Sequence, residues 1–174
     1  MKIATHNSVT GEASATWLDV LLVPFARCQS KTIREQYEAG CRYFDVRYKY
    51  SDRKGYYVCA HGLWESKRSL RDVIQEIDEL GGCYVMVTCE SGAPLMTGSI
   101  RHMVQECTNT TFTYFNRKKP KWRIDYCNKI LSHVNGYTML GWQSWHTLIP
   151  IPWLWAKLRK KEYNEEMFTF VDFL

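Results

Sequence analysis

The chain has 174 residues, of which 45% are hydrophobic and 24% are charged, and its net charge is +5 at neutral pH. These values are ordinary for a globular protein, and the length favours a single domain over residues 1–174. The mild basic excess suits an anionic partner such as a phosphate ester or an acidic lipid surface. Nucleic acid is not an expected partner, because the sequence lacks a long Lys/Arg run and any nucleic-acid motif.

Cysteine usage and the first residues indicate the compartment. The chain has seven cysteines, an odd number, and several lie inside apolar runs such as "YYVCAHG" and "CYVMVTCES". Unpaired thiols in apolar surroundings suit a reducing compartment. The N-terminal residues turn polar before an apolar leader could form, and no stretch reaches the roughly 20 apolar residues of a membrane span. We therefore expect a cytoplasmic location.

Strand and helix patterns alternate along the chain. The predicted strands are "KIATH", "CRYFDVRYKY", "YYVCAHG", "CYVMVTCES", "YTMLGWQ" and "MFTFVDFL", and the predicted helices are "TIREQYEAG", "SLRDVIQEIDELGG", "GSIRHMVQECT" and "PWLWAKLRKKEYNEE". The second of these helices is the clearest, with Ser69 as its N-cap and Gly81 at its end. Such alternation predicts a parallel α/β sheet. Because 174 residues are few for a full (β/α)₈ barrel, we expect a compact, irregular TIM-like barrel with reduced helices.

Polar side chains recur where the apolar strand segments end. They are His6 and Asn7, Asp45 and Arg47, His61, Glu90 and Asp172. The C-terminal ends of parallel strands line the active site in α/β folds, so we expect these side chains to converge on one rim. Asp45 and Arg47 are two residues apart in a strand and therefore share a face.

Two histidines and an arginine suit phosphoryl chemistry. One neutral imidazole can take a proton from an attacking hydroxyl, and a protonated one can give a proton to the leaving oxygen. A guanidinium can stabilise the charge that develops on the phosphorus oxygens. The other histidines, at positions 102, 133 and 146, have no comparable setting.

These residues carry a resemblance to a known family. The motifs "THNS", "GCRYFDVRY", "CAHGLW" and "VMVTCES", with "FVDF" in the last strand, resemble the X-domain family of phosphatidylinositol-specific phospholipases C. The resemblance covers residues 3 to about 91 in motif order and spacing, and beyond them only the last strand. It implies an irregular TIM barrel that cleaves phosphatidylinositol, or a related phosphodiester lipid, through a cyclic phosphate. The motifs are most similar to those of the metal-independent bacterial members.

The resemblance also implies a role for each of five residues. His6 matches the general base, His61 the general acid, and Arg47 the arginine that stands where calcium lies in the metal-dependent members. Asp45 matches the carboxylate two residues before that arginine. Asp172 looks like the last-strand aspartate that orients the first histidine.

Two positions depart from the bacterial pattern. Asn7 stands where those members usually have aspartate, and both Asn7 and Glu90 match positions at which calcium-dependent members place metal ligands. Together with Asp45 they offer oxygen ligands to Ca²⁺. Because Arg47 brings a fixed positive charge into the same space, we expect the chain to need no metal.

One late segment has the composition of an interfacial anchor. It combines apolar and aromatic residues with a basic cluster, and its candidate membrane contacts are Trp153, Trp155, Lys157 and Lys160. Such segments bind anionic lipid surfaces. The same pattern also fits a helix that packs its aromatic face on the barrel.

Two other functions stay open on the sequence alone. A divalent-metal-dependent phosphodiesterase of the glycerophosphodiester or sphingomyelinase D type resembles this chain in its barrel and histidine pair, but "DVR" lacks the usual Glu-x-Asp metal pair. A degenerate barrel that only binds phosphoinositides or membranes is the non-enzyme alternative. The oligomeric state has no signature in the sequence.

Overall fold

The computed structural model describes residues 2–90, 98–116, 137–139, 153–154, 157, 168–171 and 173–174. Among them are eight strands, namely β1 (Lys2–Thr5), β2 (Cys41–Ser51), β3 (Tyr56–His61), β4 (Trp64–Ser69), β5 (Cys83–Cys89), β6 (Thr110–Asn116), β7 (Tyr137–Met139) and β8 (Phe168–Val171). The helices are α1 (Trp17–Ala26), α2 (Ile33–Glu38), α3 (Leu70–Leu80) and α4 (Gly98–Gln105), with a short 3-10 helix at Ser8–Gly11.

Six strands form one parallel ladder in the order β6-β5-β2-β1-β8-β7. Starting from β1, the parallel strands follow the order of a barrel: β1, β2, β5 and β6 pair in succession, β7 pairs with β8, and β8 pairs with β1. No pairing between β6 and β7 occurs among the residues that the structure describes. The fold is thus a mixed sheet with few helices.

The predicted all-parallel alternation is wrong for one part of the sheet. β3 pairs antiparallel with the second half of β2, and β4 pairs antiparallel with β3. The turn between β2 and β3 is too short for a crossover helix, which a parallel connection requires. β2 and β3 therefore form a hairpin, and β3 and β4 add two antiparallel strands beside the C-terminal half of β2.

Helix α3 follows the prediction from its sequence. The Ser69 side chain accepts a hydrogen bond from the Asp72 backbone N–H, and the Asp72 carboxylate accepts one from the Ser69 N–H, which completes a capping box. The helix buries Leu70, Val73, Ile74 and Ile77 against the sheet. Its C-cap, Gly81, has φ +74°, a conformation that side chains other than glycine rarely adopt.

The core lies between the sheet and the helices α2, α3 and α4. Its fully buried side chains include Ile33, Phe44, Tyr48 and Ile74. The predicted unpaired cysteines are confirmed for the described residues, where six free thiols occur. None of the helices described here is both long and apolar enough to cross a membrane.

Candidate active site

The first half of the site is built where β1 ends. β1 ends at Thr5, and the His6 backbone N–H donates to the Val171 carbonyl at 3.1 Å, which ties this point to β8. Asn7 then takes the left-handed conformation, with φ 46° and ψ 51°. Asparagine tolerates this conformation better than most residues. The chain turns sharply there, and the Asn7 backbone N–H points to Asp45 Oδ2 at 3.1 Å.

Arg47 connects three side chains of the site. Its Nε donates to Asp45 Oδ2 at 3.0 Å, its Nη1 to Glu90 Oε1 at 3.1 Å and its Nη2 to His6 Nε2 at 2.8 Å. The predicted shared face of Asp45 and Arg47 is confirmed by this contact. A guanidinium is suited to such a role because its donors form a rigid planar fork.

These charges are buried and depend on one another. Asp45 is fully buried and Arg47 is 7% exposed. Burial alone would raise the pKa of the Asp45 carboxyl, but the charge of Arg47 and the hydrogen bonds from Asn7 and Arg47 outweigh it and hold that pKa below its ordinary value. Burial opposes the charge of Arg47 as well, yet Asp45 and Glu90 keep its pKa above the usual value. The pair is therefore ionised over the whole physiological range.

His61 reaches the site from the end of the β3–β4 hairpin. β3 runs antiparallel to β2, and Cys59 lies opposite Tyr48. Residues after Cys59 therefore lie beside residues before Tyr48, which brings His61 near Arg47. The His61 Nδ1–H donates to the Ala26 carbonyl at 2.7 Å, because a carbonyl can only accept. Burial and the charge of Arg47 lower the pKa of His61 to about 4. His61 is thus neutral at pH 7, and its Nε2 acts as a hydrogen-bond acceptor.

The Asn7 side chain lies between the two histidines. Its Nδ2 is 3.3 Å from His6 Nε2, 3.3 Å from His61 Nε2 and 3.3 Å from the Cys28 sulfur, so that three acceptors face two N–H bonds. Its Oδ1 is buried and has no hydrogen-bond donor in the described part of the chain. One amide therefore brings the reactive nitrogens of both imidazoles to a single point.

Comparison with known proteins places this arrangement in a known fold. No protein-family model matches the chain, and a search of the curated proteins finds no match either. Solved structures do match: a variant of the phosphatidylinositol-specific phospholipase C from Staphylococcus aureus superposes with a TM-score of 0.61 at 12% identity, covering 98% of this chain and 84% of that one. A second structure of that enzyme, concerned with modulation of its membrane binding, gives 0.59 at 11% identity over 99% and 85% of the two chains.

The chain has the fold of the phosphatidylinositol-specific phospholipases C. The resemblance that the motifs predict is thereby confirmed, and at this identity the likeness concerns the fold.

The phospholipase C fold brings together most of the predicted site residues. They are His6, Asn7, Asp45, Arg47, His61 and Glu90. Asp172, Trp155 and Lys160 lie outside the described residues. Trp153 and Lys157 are exposed, as a membrane contact requires. The described residues of the predicted late helix, 153, 154 and 157, are helical.

Sequence reasoning missed three contributors to the site. The Ala26 carbonyl holds the His61 ring, the Cys28 sulfur accepts from Asn7, and Gln29 binds the carbonyl of His6. All three belong to α1 or the loop after it, a region in which no element was predicted. A Thr16-x-x-Asp19 capping box stands before its apolar run and was the available signal.

Proposed function

We propose that the chain is a phospholipase C-like phosphodiesterase that cleaves phosphatidylinositol or a related phosphodiester lipid through a cyclic phosphate. The observation that carries the proposal is the meeting of His6 Nε2, His61 Nε2 and the Arg47 guanidinium around the Asn7 amide. This is the set of groups that an intramolecular phosphoryl transfer needs: a base, an acid and a fixed cation. The cyclic strand order also supports closure of the sheet into a barrel, which we propose as the complete architecture.

His6 is the proposed general base. Arg47 Nη2 can only donate, so His6 Nε2 carries a lone pair and the neutral ring keeps its proton on Nδ1. A substrate hydroxyl adjacent to the phosphodiester would give its proton to Nε2 as its oxygen attacks phosphorus. In the proposed scheme Asp172 stabilises the imidazolium that results.

Arg47 and His61 serve the other side of the reaction. When the anionic phosphodiester enters, the Nη2–H of Arg47 can turn from His6 to a phosphoryl oxygen and stabilise the charge that builds there. The same anion favours protonation of His61, since an opposite charge nearby raises the pKa of an imidazole. Protonated His61 then donates to the diacylglycerol oxygen as the bond from phosphorus to that oxygen breaks. The products are the cyclic phosphate and the free alcohol.

The reaction is proposed to proceed without a metal ion. The three oxygen donors that a calcium site would use are Asn7, Asp45 and Glu90, and both carboxylates already bind Arg47. A divalent ion among them would face this guanidinium at close range in a buried site, which is strongly unfavourable.

A lipid substrate is favoured by the surface beside the site. Five large apolar side chains of α1 are more than half exposed: Trp17, Leu18, Val20, Leu21 and Phe25. Asp19, the acidic residue of this helix, points inward, where its Oδ1 accepts from the Glu65 backbone N–H at 3.0 Å. Leu63, two residues after His61, is 80% exposed.

This apolar surface, formed by α1 and Leu63, is proposed to insert into the lipid surface. It adjoins the catalytic groups, because α1 ends at Ala26, the residue whose carbonyl binds His61. Uncharged aromatic and aliphatic side chains favour the membrane interface. A lipid headgroup would thus reach the histidines directly from the bilayer. A soluble diester would gain nothing from it.

The test is direct assay of the purified protein. Vesicles of phosphatidylinositol are incubated with the protein, with and without EDTA, and the products are followed by phosphorus-31 NMR. We expect a cyclic inositol phosphate resonance in both samples. Loss of turnover in EDTA would instead support the metal-dependent alternative, and vesicle binding without any product would support the non-enzyme alternative.

A further inference from the structure

The loop between α1 and α2 contains a fully buried glutamine whose contacts converge on the site. Gln29 Nε2 donates to the His6 carbonyl at 3.0 Å and to the Val171 carbonyl at 2.7 Å, and its Oε1 accepts from the Leu174 backbone N–H at 3.2 Å. All the hydrogen-bonding capacity of its amide nitrogen is thus used on the ends of β1 and β8. A side chain with no exposed surface must be held in one conformation by these bonds.

The neighbouring residue extends the same connection. The Cys28 carbonyl accepts from the Phe173 backbone N–H at 2.7 Å. The backbone N–H groups of Cys28 and Gln29 both donate to Thr10 Oγ1, at 2.9 and 3.0 Å, and that hydroxyl donates to the Asn7 carbonyl at 2.8 Å. The segment therefore joins the turn that carries both His6 and Asn7 to residues 171, 173 and 174 of the chain end.

We propose that Gln29 is a positioning residue for the base, His6. It fixes the main chain of His6 against the end of β8, from which the orienting carboxylate of the proposed mechanism comes. This inference rests on the proposed function. Gln29 thus adds side-chain bonds to the backbone bond from the His6 N–H to the Val171 carbonyl, and its loss would weaken the connection between the two strand ends at this point. A displacement of His6 on the order of 1 Å is enough to lower turnover about 10²-fold.

The chain provides a matched control. Gln36 is also fully buried, and its Nε2 also donates to two backbone carbonyls, those of Ser8 and Lys31, both at 2.7 Å. It lies in α2 and makes no contact with a histidine among the interactions described. Gln29→Met and Gln36→Met each remove two such bonds while keeping side-chain length and volume. Gln29→Met also removes the bond from the Leu174 N–H, so its structural cost should be equal to that of Gln36→Met or somewhat larger.

The experiment compares the two variants with wild type on phosphatidylinositol vesicles, well below their melting temperatures. We expect both variants to melt at lower temperature. Gln29→Met alone should lower kcat, by about 10²-fold, with KM close to wild type. Equal kcat in both variants would overturn the positioning role.

A second measurement does not depend on turnover. In ¹⁵N-labelled protein, the imidazole nitrogens of His6 in wild type should show the tautomer with the proton on Nδ1, and Gln36→Met should show the same. Gln29→Met should show averaged or displaced His6 resonances. If wild type has no turnover, the proposed function fails while this comparison still decides the positioning role. Unchanged His6 resonances in Gln29→Met would contradict it.

Discussion

Arg47 Nη2 lies 2.8 Å from His6 Nε2, and this contact fixes the chemical form of the proposed base. Because the guanidinium only donates, the imidazole nitrogen that it contacts carries a lone pair. The other nitrogens of the same guanidinium form ion pairs with two buried carboxylates, Asp45 and Glu90, which hold it in place. The cation and the base are therefore positioned by one network.

Two replacements of Arg47 should distinguish the contribution of its positive charge from that of its hydrogen-bonding geometry. Arg47→Lys keeps a positive charge but cannot reach His6, Asp45 and Glu90 together, and we expect kcat to fall about 10²–10³-fold, as when a transition-state donor is lost. Arg47→Met removes the guanidinium that pairs with two buried carboxylates and should also cost about 3–5 kcal/mol of stability. Steady-state kinetics and urea unfolding measure the two effects. Near-wild-type kcat in Arg47→Met would exclude a role for the guanidinium.

The low pKa of His61 predicts how stability depends on pH. Its pKa lies near 4 in the folded protein and near 6.5 in an unfolded chain, so that between these values the unfolded state binds the extra proton. Stability should therefore fall as the pH drops from 6.5 to 4, by about 3 kcal/mol from this group.

Urea unfolding at several pH values from 7 to 4 tests this dependence. His61→Gln should show a smaller loss over the range, whereas His102→Gln should match wild type, because the His102 side chain is 74% exposed. If His61→Gln lost as much stability as wild type between pH 7 and pH 4, protonation of the His61 imidazole would not be the cause of the loss.

Asn7→Asp should make His61 easier to protonate. The new carboxylate would stand 3.3 Å from both imidazole Nε2 atoms, and a negative charge at that distance raises the pKa of an imidazole. Aspartate also tolerates the left-handed backbone of position 7. An NMR titration should show the His61 midpoint move upward from about 4. An unmoved midpoint would mean that the amide does not face His61 in solution.

The apolar surface of α1 should determine binding to vesicles. Trp17→Ser with Leu21→Ser removes two of its most exposed side chains, and we expect weaker sedimentation with phosphatidylinositol vesicles and a higher apparent KM, with little change in melting temperature. Trp153→Ser is the matched comparison, since that tryptophan is 47% exposed. If only Trp153→Ser weakened binding, the late segment would be the anchor and α1 would not.

Much of the fold and site was predictable because the signals are local. The periodicity and caps of α3, the apolar run of β5 and the two-residue spacing of Asp45 and Arg47 each depend on neighbours in sequence. His61 was predicted at the site on the assumption of a parallel strand, yet it arrives through an antiparallel hairpin. Its position was right and the stated reason was wrong, because strand direction depends on the connection and not on the strand's own residues.

Helix α1 and the contacts of Gln29 were not predicted from the sequence. Helix α1 is apolar on its exposed side and contains Pro24, so its pattern lacks the polar face by which a surface helix is usually recognised. Gln29 acts on backbone carbonyls of His6 and Val171, and a side chain that binds backbone leaves no motif in either segment. The Gln29 contacts become evident only when β1 and β8 are adjacent.

The central claim is that His6 and His61 work as base and acid on one phosphodiester. The measurement that tests it most directly is the kcat of His6→Ala and His61→Ala on phosphatidylinositol vesicles, with His102→Ala as the control and circular dichroism to verify folding. We predict a loss of about 10²–10⁴-fold in each catalytic variant and none in the control. A folded His6→Ala or His61→Ala variant that keeps wild-type turnover would contradict the account.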